Sequence, residues 1–501
     1  MLLGVSLSQV RKVKTKADYL VAGRTLPWWV LVFTLLSSWI GSGSLFGGAE
    51  NAFNNGFASL WQAAGGWVGL LVIVIVAPRA RKFAQFTIPD LLETRYNAVA
   101  RVLGSIAILF AFTAIASYQF KGGGDILHLA FPGLDQVARD QFHLAPGNEH
   151  ALGMVIIAAF VILFTALAGM ASVAYMDVVI GSLATISCII AVPILIAKAG
   201  GWPAVHAALP PEYFQTFGRF GYVNGVSQGP GPAFSRAMEI FLPTMLLLLG
   251  NQTIYQKFFA ARSARDAKLA VVGWIAGTVV LETLIVAIAV IGAALFLHNP
   301  DIKPREIIPY TARHGLPPLL GAILMGAVFA KVISTANNYL FSPSTNLVND
   351  IYARFINRTA SDRKILVVSR GVVVLLGIFA LLQAARFESI LEAALYAYTI
   401  YSAAITPVVM AAFFWKRATA QGAVVSILLG TVLTIFWKIQ QLLLAQHKPT
   451  LLPESWLQHD AIYPALIISL VSLIAISLLT PAPRAEQWKP FIAEEKVPVS
   501  A

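Results

Sequence analysis

The chain has 501 residues, 57% of them hydrophobic and 12% charged, with a mean hydropathy of +0.73 and a formal charge of +12. A soluble domain carries about 25% charged residues, so no soluble core hides this much apolar surface, whereas lipid accepts it. The basic residues lie between apolar runs, which excludes a nucleic-acid surface, and the single Cys188 excludes an intramolecular disulfide or a cysteine-based metal cluster.

The opening Met1–Gln9 is apolar but too short to span, and Arg11, Lys12, Lys14 and Lys16 follow it. From there, apolar runs predict spans at about 28–49, 57–78, 100–120, 151–169, 174–197, 234–255, 269–297, 316–342, 365–385, 390–414, 419–440 and 462–480. The runs are continuous rather than alternating, so they are helices and not barrel strands. The fold class is all-α, a polytopic membrane protein of about 12 transmembrane helices, placed as a multi-pass protein of the cytoplasmic membrane.

Alternate connections divide the basic residues. One set holds Arg79, Arg81, Lys82, Arg95 and Arg101, then Lys257, Arg262, Arg265 and Lys268, then Arg354, Arg358, Arg363 and Lys364, then Lys416 and Arg417. The other set is longer and sparser, and the positive-inside bias assigns the dense set to the cytoplasm. The long outer connections, 121–150 and 198–233, are read as loops with short lid-like helices, and the tail after Pro481 as disordered. The histidines lie outside the apolar runs or at their edges, without metal-ligand spacing on a helix, so no metal centre is expected.

Two spans are poor uniform helices. The first, Leu35–Gly48, holds Gly41, Gly43, Gly47 and Gly48, and each glycine costs a helix about 1 kcal/mol against alanine. The sixth breaks at Leu249-Gly250-Asn251-Gln252-Thr253. Unwound backbone inside a bilayer is tolerated where it lines a cavity, and paired interruptions in two five-helix halves mark an inverted-repeat transporter. Close helix packing through small residues is the plainer reading of the glycines. Asn251 and Gln252 argue against it, because packing needs no paired amides.

The eighth span offers Ser334 and Thr335, followed by Asn337 and Asn338. Two adjacent hydroxyls can supply neutral oxygens to a small hard cation, or they can back-bond to their own helix. Lys331 lies three and four residues earlier, on the same helix face. Glu282, inside the seventh span, can pair with Lys331, bind a solute or form an interhelical bond. Glu388 and Glu392 read as interfacial acids. Tyr396, Tyr398 and Tyr401 are belt residues, or one of them forms a gate.

On these residues the sequence resembles the sodium:solute symporter family, over about residues 16–435. The likeness is carried by Asp18–Arg24, Thr87–Tyr96, Gly169–Asp177, Asn251-Gln252 through Gln256-Lys257, Ile333–Ala336, Asp350–Tyr352 and Phe414–Arg417. The resemblance implies the leucine-transporter-type fold, with inverted five-helix repeats at 28–197 and 234–414 and broken first and sixth core helices. Segment 1–27 then stands for a remnant of an extra first helix. Segment 198–233 is an outer loop, 415–480 holds two added helices, and 481–501 is a cytoplasmic tail.

It also implies cation-coupled symport of a small polar solute, with sodium as coupling ion and no other cofactor. The implied sodium ligands are Ser37, Ile40, Lys331, Ser334 and Thr335, with Asp177 on the ion's exit path. Trp39, Ser44, Gln62 and Asn251 match cavity-facing positions; Gln252 and Glu282 join them from the residue reading. Amides and aromatics lean towards a sugar. The partners expected are a small-molecule solute and lipid, with no nucleic acid and a monomer as the working unit.

The sequence departs from the family pattern at Met176 and Ile180, which replace polar residues, and at Lys331, where a small residue is usual. Either the Lys331 ammonium points away while its carbonyl binds sodium, or it occupies the ion site in a proton-coupled or uncoupled carrier, or it binds an acidic solute. A solute-binding membrane sensor is a further alternative. No HExxH, Walker loop or Ser/His/Asp grouping supports an enzyme.

Overall fold

The computed structural model describes residues 16–82, 86–142, 150–167, 170–223, 225–299, 302–386 and 389–492. Met1–Gln9 and Glu388 lie outside these residues. Among the described residues, ten helices are long and apolar enough to cross a bilayer, and Trp28–Trp39 and Ala151–Leu167 are shorter apolar helices.

Helix α1 (Lys16–Val21) leads into α2 (Trp28–Trp39), which stops where Ile40 turns extended at φ −90°, ψ 102°. A π-type turn over Gly43–Gly48 and α3 (Ala49–Asn55) carry the chain on. Gly41 at this break has no room for a side chain: a Cβ there would meet Thr335 Oγ1 at 2.6 Å. Then come α4 (Leu60–Lys82), α5 (Ile88–Arg95) and α6 (Ala98–Ala130). Thr87 caps α5 by accepting from Asp90 N at 3.0 Å.

Helix α6 runs ten residues past the expected end at 120, through Gly122-Gly123-Gly124, which reads as a loop in sequence. The physical reason is close approach. A Cβ at Gly122 would lie 2.5 Å from Ser42 Oγ, so the glycines let α6 press against its neighbours rather than end it.

Next are α7 (Gly133–Asp140), α8 (His150–Leu167), α9 (Met170–Lys198) and α10 (Trp202–Ala208). The outer connection after α10 also forms a small antiparallel ribbon, Tyr222–Val223 with Val226–Ser227. Helix α11 (Pro230–Gly250) ends at Asn251 (φ −64°, ψ 113°), and α12 (Gln252–Ala260) begins at once. Helices α13 (Ala264–Phe296), α14 (Ile307–Gly315) and α15 (Pro318–Thr345) follow, α15 widening into a π-type stretch over Asn346–Ile356.

After α16 (Asp362–Ala384), the span expected at 390–414 forms over Ile390–Phe414, with a kink at Ile405 between α17 (Ile390–Ala404) and α18 (Thr406–Phe414). Pro407 is the cause: it lacks the N–H that would continue the ladder but fits a helix start. Helices α19 (Ala420–Ala445), α20 (Glu454–Leu457) and α21 (Ile462–Leu479) lead to α22 (Ala485–Ile492). The expected disorder after Pro481 is corrected for residues 481–492, and 493–501 lie outside the described residues. Phe491 is buried against Phe413, with ring centroids 5.9 Å apart, and anchors α22.

The core is formed where α2 packs against α9, α13 and α15, and where α6 packs against α15 and α17. Large exposed apolar side chains such as Leu71, Leu163, Leu375 and Val471 stand on outer helices, as lipid contact requires. The dense basic connections share one face. Arg101 bridges Asp90, Glu93 and Asp350, Arg354 pairs with Glu93, Arg95 donates to Trp415 O at 3.1 Å, and Arg81 reaches Ala261 O. Burial opposes the charge of Glu93, but bonds from Arg354 and Arg101 hold its carboxyl below the usual range. On the opposite face Arg305 pairs with Asp125, and Lys198 donates to His314 O.

Candidate functional site

Thr335 sits mid-way along α15, facing the break in α2. Its Oγ1 lies 2.8 Å from Ser37 O, 3.3 Å from Ile40 O and 2.9 Å from Lys331 O. The last is the ordinary back-bond of a helical threonine; the other two exist because the chain leaves helical geometry at Ile40. One hydroxyl proton serves one acceptor. Three carbonyls around a single hydroxyl therefore leave oxygen lone pairs converging with too few protons between them. A small hard cation satisfies such a donor set.

Four of the five expected ion ligands thus meet. The fifth, Ser334 Oγ, donates instead to Asp177 Oδ1. Asp177 also accepts from Thr34 Oγ1 at 2.6 Å. It is completely buried, and Lys257 and Lys331 both lie within its electrostatic reach. Met176 and Ile180 pack with Phe164, Val173 and Ala330.

Lys331 is fully buried, and its Nζ donates to Ser37 Oγ at 3.0 Å. Its carbonyl faces the oxygen cluster while its ammonium bonds a side chain beside the cluster. Of the alternatives for Glu282, the pairing with Lys331 does not form, and the interhelical bond does, to Trp39 and Trp67. Lys257, fully buried as well, donates to Asn338 Oδ1 at 2.9 Å, and Asn338 Nδ2 donates to Ser334 O at 2.9 Å. Sequence reasoning missed Thr34 and the burial of Lys257; a lysine in an apolar run was the available signal for the second.

A separate, narrow pocket opens beside the first break, lined by Trp39, Ser44, Ser59, Gln62, Glu282 and Tyr398 among others. It brings together four of the expected solute-site residues: Trp39, Ser44, Gln62 and Glu282. Glu282 is buried, its Oε1 accepting from Trp39 Nε1 at 2.9 Å and its Oε2 from Trp67 Nε1 at 2.8 Å. Gln62 Oε1 and Ser59 Oγ are buried with no hydrogen-bond partner. Buried polar atoms are nearly always paired, by protein or by ordered water, so these two are open to a water or to a solute. Trp67 and Ser59 carried no separate signal in the sequence, since a tryptophan and a serine in an apolar run read as ordinary span residues.

Asn251 and Gln252 do not join that pocket's wall. Asn251 Oδ1 caps α12 by accepting from Thr253 N at 3.0 Å, and its Nδ2 donates to Tyr339 OH at 2.9 Å. Gln252 Oε1 accepts from Ile88 N and its Nε2 donates to Asn346 Oδ1, both at 2.6 Å. Tyr401 OH accepts from Gln252 N at 2.9 Å, so Tyr401 braces the second break, whereas Tyr398 faces the pocket. The correction has a simple cause: helix ends at an interruption need partners themselves, and these side chains supply them. Glu392 pairs with Lys438.

The family model for the sodium:solute symporter family matches residues 19–430. The chain is 24% identical over 497 residues to the osmoregulated proline transporter OpuE of Bacillus subtilis, covering 96% of this chain and 93% of that one. It is 24% identical to the sodium/proline symporter of Escherichia coli, covering 96% and 91%. A solved Na+-coupled sialic acid symporter in its substrate-bound outward-open state shares the fold, with a TM-score of 0.75, 18% identity and 96% of each chain covered.

Proposed function

The chain belongs to the sodium:solute symporter family, and from that premise we propose that it couples sodium entry to uptake of a small polar solute by alternating access. The observation that carries the reading is the meeting of Ser37 O, Ile40 O, Lys331 O and Thr335 Oγ1 between α2 and α15. In this reading Ser334 Oγ turns from Asp177 to become the fifth ligand, and Asp177 receives the ion as it leaves inward. The five-helix segments 28–197 and 234–414 are the units that rock about the two breaks.

Sodium drives the cycle only by binding one state better than another. A site shared by α2 and α15 does this, because its oxygens come from two elements that separate when the bundle rocks. The solute binds in the pocket of Trp39, Ser44, Gln62 and Glu282. The relatives' printed names favour a solute of proline's size. A sugar, towards which the amides lean in sequence, loses that support because Asn251 and Gln252 are engaged elsewhere.

A second reading, proton coupling, rests on one observation: the Lys331 ammonium bonds Ser37, whose carbonyl belongs to the oxygen cluster. Uptake of labelled proline into proteoliposomes separates the two. Accumulation under an inward sodium gradient at equal pH supports the first; accumulation under a proton gradient without sodium replaces it with the second.

A further inference from the structure

We propose that Glu282 receives a positively charged nitrogen of the transported solute, so that the substrates of this carrier are small amines or zwitterions. Sugars and solutes whose only charge is negative are then excluded. This inference rests on the reading of the Trp39–Glu282 pocket as the solute site.

Glu282 is 5% exposed, yet it stands at the pocket wall. Its two oxygens each accept one indole N–H, from Trp39 and Trp67. Two neutral donors orient the carboxyl without supplying a counter-charge, and a carboxyl buried in this way favours its ionised form only when a cation arrives beside it. The buried lysines of the bundle do not provide one: Lys331 bonds Ser37 and Lys257 bonds Asn338. Among the residues lining the pocket there is no lysine or arginine.

The other polar atoms there fit the same ligand. Gln62 Oε1 and Ser59 Oγ are unpartnered, and an oxygen-rich wall of this kind matches the several N–H donors of an ammonium or iminium. The aromatic residues Trp39 and Tyr398 line the same space, and aromatic ring faces attract cations. Ile285 and Val286 supply an apolar surface for the solute's hydrocarbon part. The competing role for Glu282 is a neutral acid that merely fixes two indoles.

The test is equilibrium binding to the purified full-length chain in lipid nanodiscs at saturating sodium. The probes are proline, prolinamide, N-acetylproline and glucose. Proline and prolinamide carry a cationic nitrogen; N-acetylproline has only the carboxylate, and glucose has no charge. Proline and prolinamide are expected to bind, with the other two at least about 30-fold weaker, the cost of leaving a buried charge unpaired. Glu282→Gln, which keeps an acceptor for an indole, is expected to weaken proline and prolinamide by at least about 30-fold while the sodium-induced rise in melting temperature persists.

Glu282→Asp keeps the charge and is expected to keep the order of the four probes. It carries the test if Glu282→Gln does not fold. Tight binding of N-acetylproline or glucose, wild-type binding by Glu282→Gln, or no binding of either cationic probe to the wild type overturns the inference. Sodium-independent uptake with this selectivity intact would instead overturn the coupling proposed above and leave the role of Glu282 standing.

Discussion

At the first interruption the chain turns extended at Ile40, and its freed carbonyls face a hydroxyl on another helix. At the second, Asn251 and Gln252 consume their own amides in capping α12 and in bonds to Tyr339, Ile88 and Asn346. Both interruptions read alike as polar or glycine-rich defects in an apolar run. They differ in what their polar groups do: the first turns carbonyls towards a hydroxyl on another helix and borders a pocket, while at the second the Asn251 and Gln252 amides are engaged within the protein, although Thr253 Oγ1 and Asn346 Nδ2 beside them have no partner. The lesson is that a polar residue at a helix break is a ligand candidate only when the break has not already used it.

The largest effect that sharpens this contrast is expected at the first break. Loss of outer-sphere partners alone lowers metal affinity about 10–100-fold. Ser334→Ala with Thr335→Ala removes two proposed direct oxygens and is expected to cost more than ~100-fold, read as the loss of sodium-driven proline accumulation in proteoliposomes. Undiminished uptake by the double variant would remove the site assignment.

Next is Gly41→Ala. Its Cβ would overlap Thr335 Oγ1, Cβ and Cγ2 at 2.6–2.7 Å. Overpacking of this kind costs about 1–3 kcal/mol, so the apparent sodium affinity is expected to fall by about tenfold, seen as a rightward shift in the sodium dependence of uptake. An unchanged curve would mean that Thr335 does not govern the ion.

At the second break the expected change is in stability, not in solute affinity. Gln252→Leu leaves Ile88 N and Asn346 Oδ1 without their partner, at about 1–3 kcal/mol per buried group. Thermal unfolding should show a lowered midpoint, while the proline concentration at half-maximal uptake should move less than about threefold, within the roughly 0.5 kcal/mol scatter of sites remote from a change. A large shift in that concentration with no loss of stability would make Gln252 a solute ligand and break the comparison. A comparable effect belongs to Asn251→Ala, which removes a helix cap worth ~1 kcal/mol and also the bond to Tyr339 OH. The same thermal measurement checks it, and an unchanged midpoint would show that the cap contributes nothing.

Much of the architecture was legible in the sequence because lipid imposes a simple rule: long apolar runs must be helices. The dense basic connections also share a face as their alternation implied. The breaks in α2 and after α11 were visible through Gly41–Gly48 and Asn251-Gln252. The kink before Pro407 was not, because Thr406-Pro407 lies inside an unbroken apolar run and proline suits a helix start. The extension of α6 through Gly122–Gly124 was hidden for the opposite reason, since local propensity argued for a loop and close packing overrode it.

At the site, Ser37, Ile40, Lys331 and Thr335 were legible as a set only through the family motif, since carbonyl ligands leave no side-chain signature. Thr34 and Trp67 had no signal, because their roles depend on which helices touch. The motif Thr87–Tyr96 gained a physical meaning only in three dimensions, where Thr87 donates to Asp350 at 2.9 Å and Ile88 N donates to Gln252.

The most direct test of the oxygen cluster needs no solute. Equilibrium binding of radioactive sodium to the purified chain, wild type against Thr335→Ala, is expected to show saturable binding in the first and its loss in the second, with both proteins folded by their thermal unfolding. Equal sodium binding by the two, or none by the folded wild type, would contradict it.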